Sequence, residues 1–237
     1  MDWKKTCWSD QDYQLLCAEL RGLADEPYRE FHQKLITDRC VVVGVRMPQL
    51  RRMAKEIAKG NQETLFPLLR EEVYEEMMLY GLVLGYQKGT FSRLLAQLGD
   101  FIPKINNWAV CDCTVAGLTA VKQEREEFFR FLQPYLVAEN EFALRFAVVS
   151  LMHYYTDALW LDRVLTVYRR VEHPGYYVKM AVAWGVAEAY VKDREKTTAL
   201  LKERCLDRET QNKAVQKIRD SYRVTAADKE AVKKWRM

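Results

Sequence analysis

Asn106-Asn107-Trp108-Ala109-Val110-Cys111-Asp112-Cys113 sets a tryptophan and a carboxylate four residues apart in a segment that reads as helix. At that spacing both side chains leave one face. In isolation the pair is a core tryptophan with a solvated aspartate beside it. The reading changes because similar helices return along the chain at regular distances. Met77-Met78-Leu79-Tyr80-Gly81 runs on to Tyr86, Arg145-Phe146-Ala147-Val148 to Tyr154, Met180-Ala181-Val182-Ala183 to Tyr190, and Lys213-Ala214-Val215-Gln216 to Tyr222. Their first members lie 68, 35 and 33 residues apart, and 68 is two periods of 34. The absent member falls at Cys111, so the opening stretch is itself one unit of the repeat, with Ala120 where the others carry tyrosine.

A helix pair of this length cannot bury its apolar face alone, and stacked neighbours supply the missing core. The period therefore predicts an all-α protein: an α-α superhelix (solenoid) of about six HEAT-like helical hairpin repeats with a concave binding wall, one domain over residues 1–237. Prolines at 67, 103, 134 and 174 punctuate the helical signal at intervals of 36, 31 and 40 residues, close to the same length. Upstream, Ser9 or Asp10 caps a helix reaching Gly22 or Leu23, and Pro27 opens the next segment. Cys40-Val41-Val42-Val43-Gly44-Val45, between Ile36 and Val45, lacks a strand partner and reads as a buried connector ending at Gly44. Pro48 then starts a helix over Gln49–Lys59.

Composition bounds what the chain does. It is 49% apolar and 30% charged, as an ordinary globular protein is. Apolar runs such as Ala181–Ala187 fall short of the roughly 18 residues a membrane span needs, and the start, Met1-Asp2-Trp3-Lys4-Lys5, leads into polar residues and not an apolar signal core. The cytoplasm is the expected compartment, with no membrane association. Cys7, Cys17, Cys40, Cys111, Cys113 and Cys205 form no Cys-x-x-Cys pair, and His32, His153 and His173 are scattered, which predicts free thiols and no metal. The net charge of +4 is uneven, because Val191 to Met237 holds 14 basic and 8 acidic residues against 23 and 25 elsewhere. A basic C-terminal end suits a polyanion, although a solvated helix face accounts for any single charge run.

Counted from its own repeat's first member, Trp108 lies at −3, Asp112 at +1, Arg145 at 0 and Trp184 at +4. These offsets form one helical stripe. Stacked helices about 10 Å apart would gather the four side chains on one wall. The alternative is interior packing of both tryptophans, with Asp112 and Arg145 as an inter-repeat ion pair of small net stabilisation.

Trp108-x-x-x-Asp112, Arg145 before a short aliphatic run, and Trp184 within Val178–Trp184 together resemble the signature of the DNA alkylation repair (AlkD-like) family. Gly44-Val45-Arg46-Met47-Pro48-Gln49-Leu50-Arg51-Arg52 is similar to that family's Gly-Val-x-x-Pro-x-Leu-Arg-Arg stretch. The resemblance runs from about Pro27 to Tyr222. It implies a HEAT-like DNA glycosylase that hydrolyses the N-glycosidic bond of cationic N3- and N7-alkylpurines in duplex DNA, with no metal or nucleotide cofactor; a monomer is the expected state. It further implies Trp108, Asp112 and Trp184 in the catalytic cleft and Arg145 on phosphate. Independently of the resemblance, a continuous basic strip of Arg145, Lys179, Lys213 and Lys217 beside Asp112 favours an enzyme acting on DNA, and a neutral or acidic rim favours a scaffold. The chain departs from the family pattern at Ala109, where an acidic residue is common, at Ala187-Glu188, where an arginine is common, and at Thr210-Gln211-Asn212-Lys213. A non-catalytic scaffold that binds protein or nucleic acid on the same wall is the competing reading, since a solenoid fold alone does not decide function.

The residue types suit the chemistry. A cationic alkylpurine is already a good leaving group, and its departure leaves positive character at the sugar C1′, which a nearby carboxylate such as Asp112 stabilises. Tryptophan faces attract cations by about 0.5–2 kcal/mol per contact, so Trp108 and Trp184 are candidates to hold the lesion.

Overall fold

A computed structural model describes residues 2–36 and 40–237. Residues 37–39, part of the connector region, and Met1 lie outside the described residues. Among the described residues there are thirteen α-helices and no strand, only isolated bridges from Ala24 to Val45 and from Val41 to Val73. The six cysteines form no disulfide. No helix of the described residues is long and apolar enough to cross a membrane. The chain divides into two compact units, residues 1–124 and 125–237.

The first unit opens with α1 (Asp10–Gly22), where Ser9 accepts from the Asp12 N–H and the Asp12 carboxylate returns the bond to the Ser9 N–H, a capping box. In α2 (Glu26–Gln33) Pro27 takes the first turn and Asp25 caps it. Helix α3 (Met47–Ile57) lies two residues earlier than Gln49–Lys59 because extended Arg46 precedes it and Pro48 occupies its first turn. Next come α4 (Tyr74–Tyr86), α5 (Phe91–Phe101) and α6 (Trp108–Gly117). Helix α4 is buried at every residue from Tyr74 to Leu84 and packs on α3, α5 and α6. Its neighbours are one-sided: α3 buries Leu50, Met53, Ala54 and Ile57, and α5 buries Leu94, Gln97, Leu98 and Phe101, each an i, i+3, i+4, i+7 stripe.

The connector is held by a carboxylate. Glu75 of α4, 0% exposed, accepts from the N–H groups of Val43 (2.8 Å), Gly44 (2.7 Å) and Val45 (3.1 Å). Gly44 has φ +102°, and a Cβ there would stand 2.7 Å from the Arg29 Cβ, so glycine is required twice over. Val42 and Val45 are buried as expected, whereas Val41 faces solvent.

The second unit contains α7 (Arg125–Leu132), α8 (Glu141–Tyr154), α9 (Leu161–Arg170), α10 (Tyr176–Lys192), α11 (Arg194–Glu203), α12 (Arg208–Asp220) and α13 (Ala226–Ala231). Helix α10 packs on α8 and α12, with α9 and α11 also against it. Pro67, Pro103 and Pro134 all sit in short 3-10 turns, and Pro174 immediately precedes the Gly175 N-cap of α10.

The repeat register is visible within each unit. Helices α4 and α6 start 34 residues apart, and α8, α10 and α12 start 35 and 32 apart. Met77, Cys111, Arg145, Met180 and Lys213 fall at the fourth to sixth residue of these five helices. Polar contacts repeat with the same spacing. Arg169–Glu203 (2.7 Å) and Lys196–Asp162 (2.8 Å) span 34 residues, and Lys104–Glu71 (3.6 Å) links positions one period apart in the first unit. Such surface pairs contribute about 0–1 kcal/mol each, so they mark the register more than they hold it. The tyrosine rule fails once. Tyr154 and Tyr190 are buried, but Tyr222 is fully exposed at 103%. Helix α12 ends at Asp220, so the chain has left the helix before Tyr222, which therefore does not close a helix.

Candidate active site

Helix α6 is anchored before it begins. Asn107, fully buried, accepts from the Val110 N–H at 2.9 Å as N-cap, and its amide nitrogen donates to Asn106 Oδ1 (2.9 Å) and the Cys40 sulfur (3.5 Å). Asn106 in turn donates to the Glu71 carbonyl at 2.9 Å. Two short polar side chains thus tie the first turn of α6 to the connector and to the residues before α4. Trp108, the first residue of α6, is half-buried, and its Nε1 donates to the Leu35 carbonyl at 3.0 Å. That bond anchors the ring nitrogen of the indole at the Leu35 carbonyl. One turn later stands half-buried Asp112. Burial pushes the thiol of the next residue, Cys113, up, while Arg51 of α3 pulls it down and Asp112 pushes it further up. Arg51 and Asp112 therefore both act at that sulfur.

In the second unit, Trp184 of α10 is half-buried, with His153 edge-on at 6.4 Å. It lines an open cleft of about 470 Å³ with Ala187, Glu188, Lys217 and Tyr222. Lys217 is half-buried, and Lys213 stands one turn before it on α12. Neither has an ion-pair partner among the described residues. Arg145 is 5% exposed and donates to the Tyr177 carbonyl at 2.6 Å. Lys179 is bonded to Glu209 at 2.9 Å with Asp207 at 3.9 Å, and the Glu209 bond raises its pKa.

The structure thus brings Trp108 and Asp112 onto consecutive turns of one anchored helix, and Trp184 and Lys217 onto one cleft. It does not leave Lys179 as an unmatched cation. The sequence does not reveal the Asn106–Asn107–Cys40 anchor, the placing of Tyr222 and Arg223 at the Trp184 cleft, or the role of Arg51. Arg223, paired with Glu188 35 residues earlier, brings a guanidinium beside Glu188, and the repeat period was the signal that could have found it. Among the described residues no three His, Cys, Asp or Glu side chains gather as metal ligands. A family model described as DNA alkylation repair enzyme matches residues 16–222. No curated protein matches the chain.

Proposed function

The chain belongs to the DNA alkylation repair enzyme family, and from that premise we propose that it is a DNA glycosylase releasing cationic N3- and N7-alkylpurines from duplex DNA. The observation that supports this best is the pairing of Trp108 and Asp112, one turn apart on a helix whose N-terminus is tied down and whose indole is fixed by the Leu35 carbonyl. Pre-set geometry of this kind is what electrostatic stabilisation of a transient charge requires. In this reading the repeats form one HEAT-like solenoid of about six hairpins over residues 1–237, and its concave wall receives the duplex. Trp108 and Trp184 face the lesion nucleotide through their indoles. The Asp112 carboxylate stabilises the cationic sugar as the C1′–N bond breaks and orients the water that completes hydrolysis. The positive charge of the base drives its own departure, so neutral lesions are poor substrates.

Lys213 and Lys217 are the phosphate contacts of the second unit. Arg145 and Lys179 position helices instead, Arg145 through the Tyr177 carbonyl and Lys179 through Glu209. Release of N7-methylguanine from alkylated duplex DNA by the purified protein tests the proposal. Free base accumulating in step with abasic sites is the expected result, and intact alkylated DNA after prolonged incubation would overturn it. The commitment of Arg145 to the Tyr177 carbonyl and of Lys179 to Glu209 favours a second reading, a non-catalytic scaffold that binds protein or nucleic acid, for which DNA retention without base release is the outcome.

A further inference from the structure

Cations that link elements one repeat apart on the surface of this protein are generally matched by carboxylates: Lys104 by Glu71, Arg169 by Glu203, Lys196 by Asp162. Helix α3 breaks the pattern. Its Arg51 donates from Nη1 to the Tyr86 hydroxyl at 3.2 Å, and the Lys55 ammonium lies 5.5 Å from the centre of the Tyr86 ring. Both cations are exposed, and neither has an ion-pair partner among the described residues. Arg51 and Lys55 are one turn apart on the same helix, where like charges repel by a few tenths of a kcal/mol. One tyrosine at the end of α4 therefore gathers two like charges by two different means, its oxygen accepting from the guanidinium and its π face attracting the ammonium. Nothing in that arrangement neutralises either charge.

Such a pair is held ready for an anion from outside. The anion's place is marked by packing: α3, which carries the cationic pair, and α6, which carries Asp112, both lie against α4, whose last residue is Tyr86. A diester backbone presents successive singly charged phosphates, which suits two cations one helical turn apart. We infer that Arg51 and Lys55, aligned by Tyr86, bind the DNA backbone and position the strand at Asp112. The inference rests on the glycosylase reading for its substrate and extends it to a contact in the first unit, outside the basic C-terminal end.

The test compares the parent protein with Arg51→Ala/Lys55→Ala and with Tyr86→Phe. Fluorescence anisotropy of a labelled duplex at several salt concentrations reads the number of phosphates neutralised. Two lost contacts reduce the slope of log K against log salt by about 1.8, with unchanged melting temperature because both side chains are exposed. Tyr86→Phe keeps both charges and the ring but removes the guanidinium's anchor, so the slope stays parental while affinity drops several-fold. In excision assays the double variant raises KM and leaves saturating single-turnover rates alone, as expected of a contact that positions without touching the reacting atoms. A double variant with parental slope and parental Kd overturns the inference while leaving an excising parent, and hence the glycosylase reading, intact. A parent that binds duplex DNA through Arg51 and Lys55 but releases no base overturns the glycosylase reading and sustains the inference.

Discussion

Asp112 is where chemistry and structure make opposite claims on one side chain, and substitution by the near-isosteric amide separates them. Asp112→Asn preserves packing against neighbouring turns of α6 but cannot offset charge developing at C1′. Excision should fall about 10²–10³-fold with an unchanged thermal melt. A lowered melting temperature with a proportionate loss of activity would assign Asp112 to a structural pair instead. Glu75 poses the converse case, a carboxylate with no exposure at all. Burial raises its pKa above 4.5, and the three N–H groups of the connector draw it part of the way back. A raised native pKa means that the folded protein holds this proton more tightly than the unfolded chain. Its contribution to stability is therefore full below the unfolded value and declines as pH rises through the native one. Glu75→Gln does not titrate, and its amide turns a donor toward amide donors, at a cost of about 1–3 kcal/mol. The melting-temperature gap between parent and variant should be widest under acid conditions and narrow as pH rises. A gap that widens with pH would mean that the three amides stabilise the ionised form more than burial opposes it.

At the scale of the helix, close approach is set by residues without side chains. A Cβ on Gly185 of α10 would meet the hydroxyl of Tyr168 at 2.4 Å and its ring carbons at 2.5 and 2.7 Å. Tyr168 of α9 is itself fully buried, so the ring has nowhere to go. Gly185→Ala should destabilise the protein by about 1–3 kcal/mol through overpacking, measured as a shift in denaturation midpoint with unchanged slope. Adding Tyr168→Phe, which removes the nearest atom, should restore part of the loss, and an additive double variant would show that the two positions are not in contact. The helices themselves were legible in the sequence because periodicity, caps and prolines are local signals. Ser9, Pro27 and Pro48 each placed a helix start to within two residues, and the period near 34 placed α4, α6, α8, α10 and α12. Interlocks such as Gly185 with Tyr168 or Glu75 with the Gly44 connector were not legible, since each depends on which face of one element meets another. Tyr222 misled for a related reason: its spacing matched Tyr154 and Tyr190, but α12 stops short of it.

For the whole molecule, charge distribution in sequence and usable charge in space are different quantities. The basic excess after Val191 made the C-terminal repeats the expected source of DNA affinity, yet Arg194, Lys196, Arg223 and Lys233 are committed to Asp228, Asp162, Glu188 and Glu230. The candidate site was legible to a similar extent. Trp108 and Asp112 could be read as a pair because they share a helix, whereas the neutralisation of Lys179 by Glu209 needed the packing of α10 on α12. Pairing decides which cations release counterions when a duplex binds, because a lysine already bonded to a carboxylate contributes little net potential at the phosphate. Replacing Lys213 and Lys217 together by alanine should therefore reduce the salt slope of duplex binding by about 1.8, roughly 0.9 per phosphate contact. Lys179→Ala should leave the slope at its parental value. Its loss also frees Glu209 as an unmatched carboxylate, so affinity at low salt falls slightly through repulsion while the count of phosphates stays constant. A slope reduced by a full contact in Lys179→Ala would mean that the Glu209 bond opens on DNA and that the paired state describes the unbound protein alone.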